Sequence, residues 1–79
     1  MIQYRRKPKI NEKISVGAGT PLQQYIFRLD VLKDWTTTIS IIPKVKVFQF
    51  KGKSHKATNA EVHKALDQLV NVGVLDRKK

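Results

Sequence analysis

Two stretches of the chain repeat their apolar residues with a helical period. Leu22, Tyr25, Ile26 and Leu29 fall at i, i+3, i+4 and i+7, with Leu32 continuing the stripe and Phe27 and Val31 widening it. Thr20-Pro21-Leu22-Gln23 opens this helix with an N-cap hydroxyl, proline at the first helical position and Gln three residues after the cap. The helix is expected to run to about Asp34, with Gln23, Gln24, Arg28 and Lys33 facing outward. The second helix begins at Thr58-Asn59-Ala60-Glu61, a full capping box. Val62, Ala65, Leu66, Leu69 and Val70 form its apolar stripe, and Glu61, His63, Lys64, Asp67, Gln68 and Asn71 line the other side. Gly73 supplies the left-handed residue that stops it.

Between the helices the period changes to two. The alternation from Thr36 to Ser40 places Thr37, Ile39 and Ile41 on one face and Thr36, Thr38 and Ser40 on the other, the pattern of a half-buried strand. Residues 44–50 repeat it, with Val45, Val47 and Gln49 opposite Lys44, Lys46, Phe48 and Phe50. Pro43 cannot donate to a ladder and marks the joint, and without Asn-Gly or Asp-Gly there a hairpin and a single bent strand both fit, of which we favour the hairpin. Residues 13–16 form a weaker strand before the turn Gly17-Ala18-Gly19, and Val74-Leu75 starts a final strand. Residues 1–11 are either an edge strand around Ile2 and Tyr4 or a basic N-terminal arm, leaving 12–79 as one domain. The order strand, helix, strand, strand, helix, strand predicts a small single-domain α+β protein, an antiparallel sheet with two helices in ferredoxin-like βαββαβ order.

The segment from Glu61 to Arg77 also resembles the recognition helix and following strand of winged-helix DNA-binding domains. The shared pattern is Val-x-x-Ala-Leu-x-x-Leu, then Gly, an apolar pair and Arg. The resemblance implies a winged-helix-like alternative fold, with His63, Lys64, Asp67 and Gln68 facing a DNA major groove.

Charge turns this fold into a functional expectation. The 79 residues hold 16 Lys and Arg against 6 Asp and Glu, a net charge of +10 that opposes compaction unless a polyanion sits against it. With 41% hydrophobic residues the chain is too apolar for a disordered basic tail. It contains no cysteine, which excludes disulfides, zinc fingers and a thiol nucleophile. No uncharged run approaches the ~20 apolar residues that span a bilayer. The basic N-terminus is followed by no apolar h-region, so the expected location is cytoplasmic, on a nucleoid or a ribonucleoprotein.

The cations fall in four groups: Arg5, Arg6, Lys7 and Lys9; Lys44 and Lys46; Lys51, Lys53, His55 and Lys56; and Arg77, Lys78 and Lys79. The middle groups lead into the second helix, whose cap residues Thr58 and Asn59 can also meet phosphate. Phe48 and Phe50 alternate with lysines, which suits either a core strand or a base-stacking platform. Trp35 reads as a core or hinge aromatic. His55 and His63 have no metal-ligand spacing, and Gly17-Ala18-Gly19-Thr20 lacks the spacing of a phosphate loop, so neither cofactor nor enzymatic activity is expected. The leading expectation is a non-enzymatic nucleic-acid-binding protein, DNA ahead of RNA. A ribonucleoprotein component and an interaction protein for an acidic partner are the alternatives. An exposed strand edge would permit a homodimer.

Overall fold

The computed structural model describes residues 1–7 and 19–79. Helix α1 spans Pro21–Phe27 behind the expected capping box: Thr20 Oγ1 accepts from the Gln23 amide at 3.2 Å, and the Thr20 amide donates to Gln23 Oε1 at 3.3 Å. It stops seven residues short of the expected Asp34. Leu29 is extended and a 3-10 turn, Asp30–Lys33, follows. The break has a visible partner, because the Leu29 carbonyl accepts from the Arg6 guanidinium at 2.7 Å while Leu32 stays fully buried.

Residues 36–42 are the main correction. Only Thr36–Thr37 is a strand (β2), and Thr38–Val45 is a helix (α2). Thr37 caps it, its hydroxyl accepting from the Ser40 amide at 3.4 Å. Ile41 and Val45, four apart, are both fully buried, whereas Ile39 is 70% exposed. A strand would have put Ile39 and Ile41 on the same face. Burial of the i, i+4 pair therefore outweighs the strand preference of a β-branched run. Pro43 lies inside α2 and removes the amide that would bond the carbonyl of solvent-exposed Ile39, where water can replace it.

The α+β class with antiparallel pairing holds, but the strands are divided between two sheets. In the first, β1 (Gln3–Arg6) lies between β2 and β5 (Leu75–Lys78), with Tyr4 opposite both Thr36 and Arg77. The strand around Tyr4 is thus central, not an edge. Lys9, the strand over 13–16 and Gly17-Ala18 lie outside the described residues. The second sheet is a hairpin of β3 (Val47–Phe50) and β4 (Lys53–Lys56). The partner of β3 is therefore β4 and not residues 36–42. Lys44 belongs to α2, and Lys46 occupies the bend after it.

The hairpin turns through Lys51 (φ 52°) and Gly52 (φ 77°), a two-residue connection with both residues in the left-handed region. Gly52→Val will lower the unfolding midpoint by several degrees, since a left-handed non-glycine residue costs about 1–2 kcal/mol and each kcal/mol moves Tm by about 4–8 °C in a domain of this size. Lys51→Asn will raise it. Thermal melts of the two variants check the pair, and a neutral Gly52→Val would contradict this turn.

Helix α3 (Asn59–Asn71) crosses the centre and buries Val62, Ala65, Leu66 and Leu69 against Ile26, Leu32, Ile41, Val45, Val74 and Leu75. Gly73 (φ 89°) ends it as expected. In its capping box the Thr58 amide donates to Glu61 Oε1 at 2.9 Å. That bond, followed by the one with the Thr58 side chain, holds the Glu61 carboxyl below its ordinary 4.5. A depressed carboxyl stabilises the fold above its unfolded pKa, and the contribution fades as pH falls through the folded value. Glu61→Gln keeps an acceptor but removes the titration. Its acid-unfolding curve will be flatter than the parent's below about pH 4.5, and identical curves would show that the cap carries no linkage.

Candidate nucleic-acid interface

The hairpin has two unlike faces. On the inner one, Phe48 and His55 sit opposite each other in register and stack at 5.2 Å with a 17° interplanar angle. Phe48 also meets Tyr25 of α1 at 4.6 Å and is only 4% exposed. Phe48 is thus core, and Phe50 is half-buried beside His55 at 6.5 Å. The outer face carries Val47, Gln49, Ser54 and Lys56, all exposed. Lys51 stands at the turn with its ammonium 5.4 Å from the Phe50 ring centroid, and exposed Lys53 follows it.

A groove of ≈ 380 Å³ lies where the base of this hairpin meets α3 and the start of α1. His55 and Lys56 line it from the hairpin, Lys64 and Gln68 from α3, and Thr20 from the α1 cap. The Gln23 side-chain amide donates to Gln68 Oε1 and ties the two helices together across it. On the other side of Lys56 a second depression, ≈ 420 Å³, is lined by Lys46, Val47, Thr58 and Asn59. Lys46, His55, Lys56, Thr58, Asn59, Lys64 and Gln68 thus line two depressions that meet at Lys56, while Lys51 and Lys53 stand at the far tip of the hairpin. His63 is exposed on α3 next to Lys64.

The terminal cations lie elsewhere. Arg5 and Lys7 approach Asp76 on β5 at 3.6 and 3.9 Å, while Arg6 holds the Leu29 carbonyl and lies 5.3 Å from the Phe27 ring centroid. Arg77 pairs with Asp67 at 2.8 Å, so the His63–Asp67 spacing on α3 is not where Asp67 finds its partner. Lys78 and Arg5 both stand over Trp35, at 4.3 and 4.6 Å from its centroid. Lys79 and Lys44 are exposed, the first just beyond β5 and the second in the last turn of α2. The groups at the two chain ends thus form a second basic surface, on the three-stranded sheet.

No family model, no curated protein and no solved structure matches this chain. The functional reading therefore rests on the geometry. Among the described residues no three His, Asp or Glu side chains gather as a metal site, and no helix is long and apolar enough to cross a membrane. Among the described residues that line the groove the single carboxylate, Glu61, is engaged in its helix cap. Sequence reasoning missed Gln49 and Ser54 as candidate contacts. The alternation of Val47 and Gln49 with Phe48 and Phe50 carried that signal.

Proposed function

We propose that the protein is a small, non-enzymatic DNA-binding protein that grips its ligand with the hairpin and the N-terminal half of α3. One observation carries this reading: from residue 46 to residue 60 the chain has four lysines, one histidine and no carboxylate, all within one turn-and-cap segment. No carboxylate of the described residues pairs with Lys46, Lys51, Lys53 or Lys56. Cations left unpaired on a folded surface are available to phosphate oxygens, and counterion release makes such contacts the main source of affinity. Lys64 extends the surface along α3, and Thr58 and Asn59 add hydroxyl and amide groups at its positive end. The winged-helix resemblance of the segment from Glu61 to Arg77 favours DNA, and a nucleoid-associated role in the cytoplasm follows.

A second reading, a component of a ribonucleoprotein, is favoured by the separate basic face around Trp35, because two basic faces suit a protein embedded in folded RNA. An NMR titration with duplex DNA, single-stranded DNA and a structured RNA separates the two. Duplex DNA should shift the amides of residues 46–64 most. Shifts centred on residues 3–7 and 75–79, obtained with RNA alone, would overturn the DNA reading, and no shift with any polyanion would remove both.

A further inference from the structure

The hairpin, rather than α3, has the composition of a sequence-reading element. Its outer face is a row of side chains with distinct recognition chemistry: Gln49 opposite Ser54, and Val47 opposite Lys56, all exposed. Its charges sit at the two ends of that row, Lys51 and Lys53 at the tip and Lys46 and Lys56 at the base. Strands of four residues are about 13 Å long, and the B-DNA major groove, about 12 Å wide, admits a two-stranded ribbon.

We propose that the outer face of the hairpin enters the major groove of duplex DNA and reads base edges there. Gln49 and Ser54 hydrogen-bond to bases, Val47 meets a thymine methyl, and the lysines at each end hold the flanking phosphates. The proposal rests on the DNA-binding reading and deepens it. Gln pairs in bidentate fashion with adenine, Ser with several bases, and an exposed apolar side chain has a natural partner in the thymine methyl group.

Three observations favour this element and this ligand. Single-strand binders stack unpaired bases on exposed aromatic rings, but here Phe48 is buried against Tyr25 and His55, and the outer face carries no ring. The deep, narrow major groove of duplex RNA does not admit a ribbon. On α3, Gln68 is bonded to Gln23 and Asp67 to Arg77, which leaves His63 and Lys64 as its free polar side chains in that stretch.

The test is a selection from a pool of randomised DNA duplexes. It uses the full chain, the double variant Gln49→Ala with Ser54→Ala, and the double variant His63→Ala with Lys64→Ala, with thermal melts confirming that each folds. The parent protein should enrich a short motif. The hairpin variant should bind random duplex within about twofold of the parent yet lose the motif, its affinity for the selected site falling tenfold or more, since a good base contact discriminates by about 1–3 kcal/mol. The helix variant should keep the motif and bind all duplexes more weakly. Loss of the motif in the helix variant alone would assign the reading to α3 and overturn the proposal. Duplex binding without any enriched motif would overturn it too, leaving DNA binding intact. Preference of the parent for single strands or RNA, or no binding to duplex at all, would remove the DNA reading beneath it.

Discussion

Raising salt from about 50 to about 200 mM will weaken duplex binding by about 500-fold, the consequence of a logarithmic slope near −4.5 for five phosphate contacts on B-DNA. The five are Lys46, Lys51, Lys53, Lys56 and Lys64, all exposed on the hairpin and α3. The cations of the first sheet are left out because their partners are internal: Arg5 and Lys7 share Asp76, Arg77 holds Asp67, and Arg6 is bonded to a backbone carbonyl. A charge already neutralised within the protein releases fewer counterions when DNA arrives. Replacing Lys53 and Lys56 with alanine should flatten the slope by about 2 and weaken all duplexes alike. Fluorescence anisotropy over a salt series measures both quantities. A slope near zero would mean that the unpaired lysines meet no phosphate, and one near −9 would bring the sheet face into the interface.

Leu66→Ala will remove a large share of the domain's stability and lower its unfolding midpoint well below the parent's. Leu66 is fully buried at the centre of α3, facing the core formed with Ile26, Leu32 and Ile41. Truncating such a side chain costs about 2–5 kcal/mol through lost transfer energy and the cavity left behind. A domain of this length holds roughly 4–12 kcal/mol in total, so the loss is a large share and should lower Tm by at least about 10 °C. Ile39→Ala is the matched control: that side chain is 70% exposed on α2 and its removal should stay within about 0.5 kcal/mol. Urea unfolding of the two variants gives the comparison. Similar midpoints would contradict the helical assignment of residues 38–45, because in the alternating strand expected from the sequence Ile39 shares a face with buried Ile41.

The parts of the fold that were legible in the sequence are those fixed by short-range chemistry. Thr20 and Thr58 announce their helices because the cap needs only a hydroxyl and a Gln or Glu three residues on, and both boxes form. Gly73 stops α3 because the left-handed residue must tolerate φ 89°. Residues 36–42 misled because alternating Thr and Ile satisfy a strand pattern locally, while the preference that decided, burial of Ile41 and Val45 together, depends on what α2 packs against. The end of α1 was hidden for a related reason: the partner of the Leu29 carbonyl is Arg6, 23 residues away.

The candidate site divides along the same line. Lys51, Lys53, His55 and Lys56 are neighbours in sequence and share one hairpin, whose base runs into the cap residues Thr58 and Asn59. That Arg5, Lys7 and Arg77 are ion-paired was invisible, since Asp76 is separated from Arg5 by almost the whole chain. Electrostatic pairing between strands leaves no local pattern to read.

The position of β1 between β2 and β5 also matters while the chain is being made. During synthesis β1 emerges early and β5 late, so one edge of β1 stays open until the rest of the domain has been translated. An open strand edge invites pairing with another chain, and basic side chains are a common deterrent. Arg5 and Lys7, alternate residues at the end of β1, share the face beside that edge, so two nascent copies repel each other there. When β5 arrives, it brings Asp76 within reach of Arg5 and Lys7. The charges that keep strangers off the young edge are the ones that receive its proper neighbour.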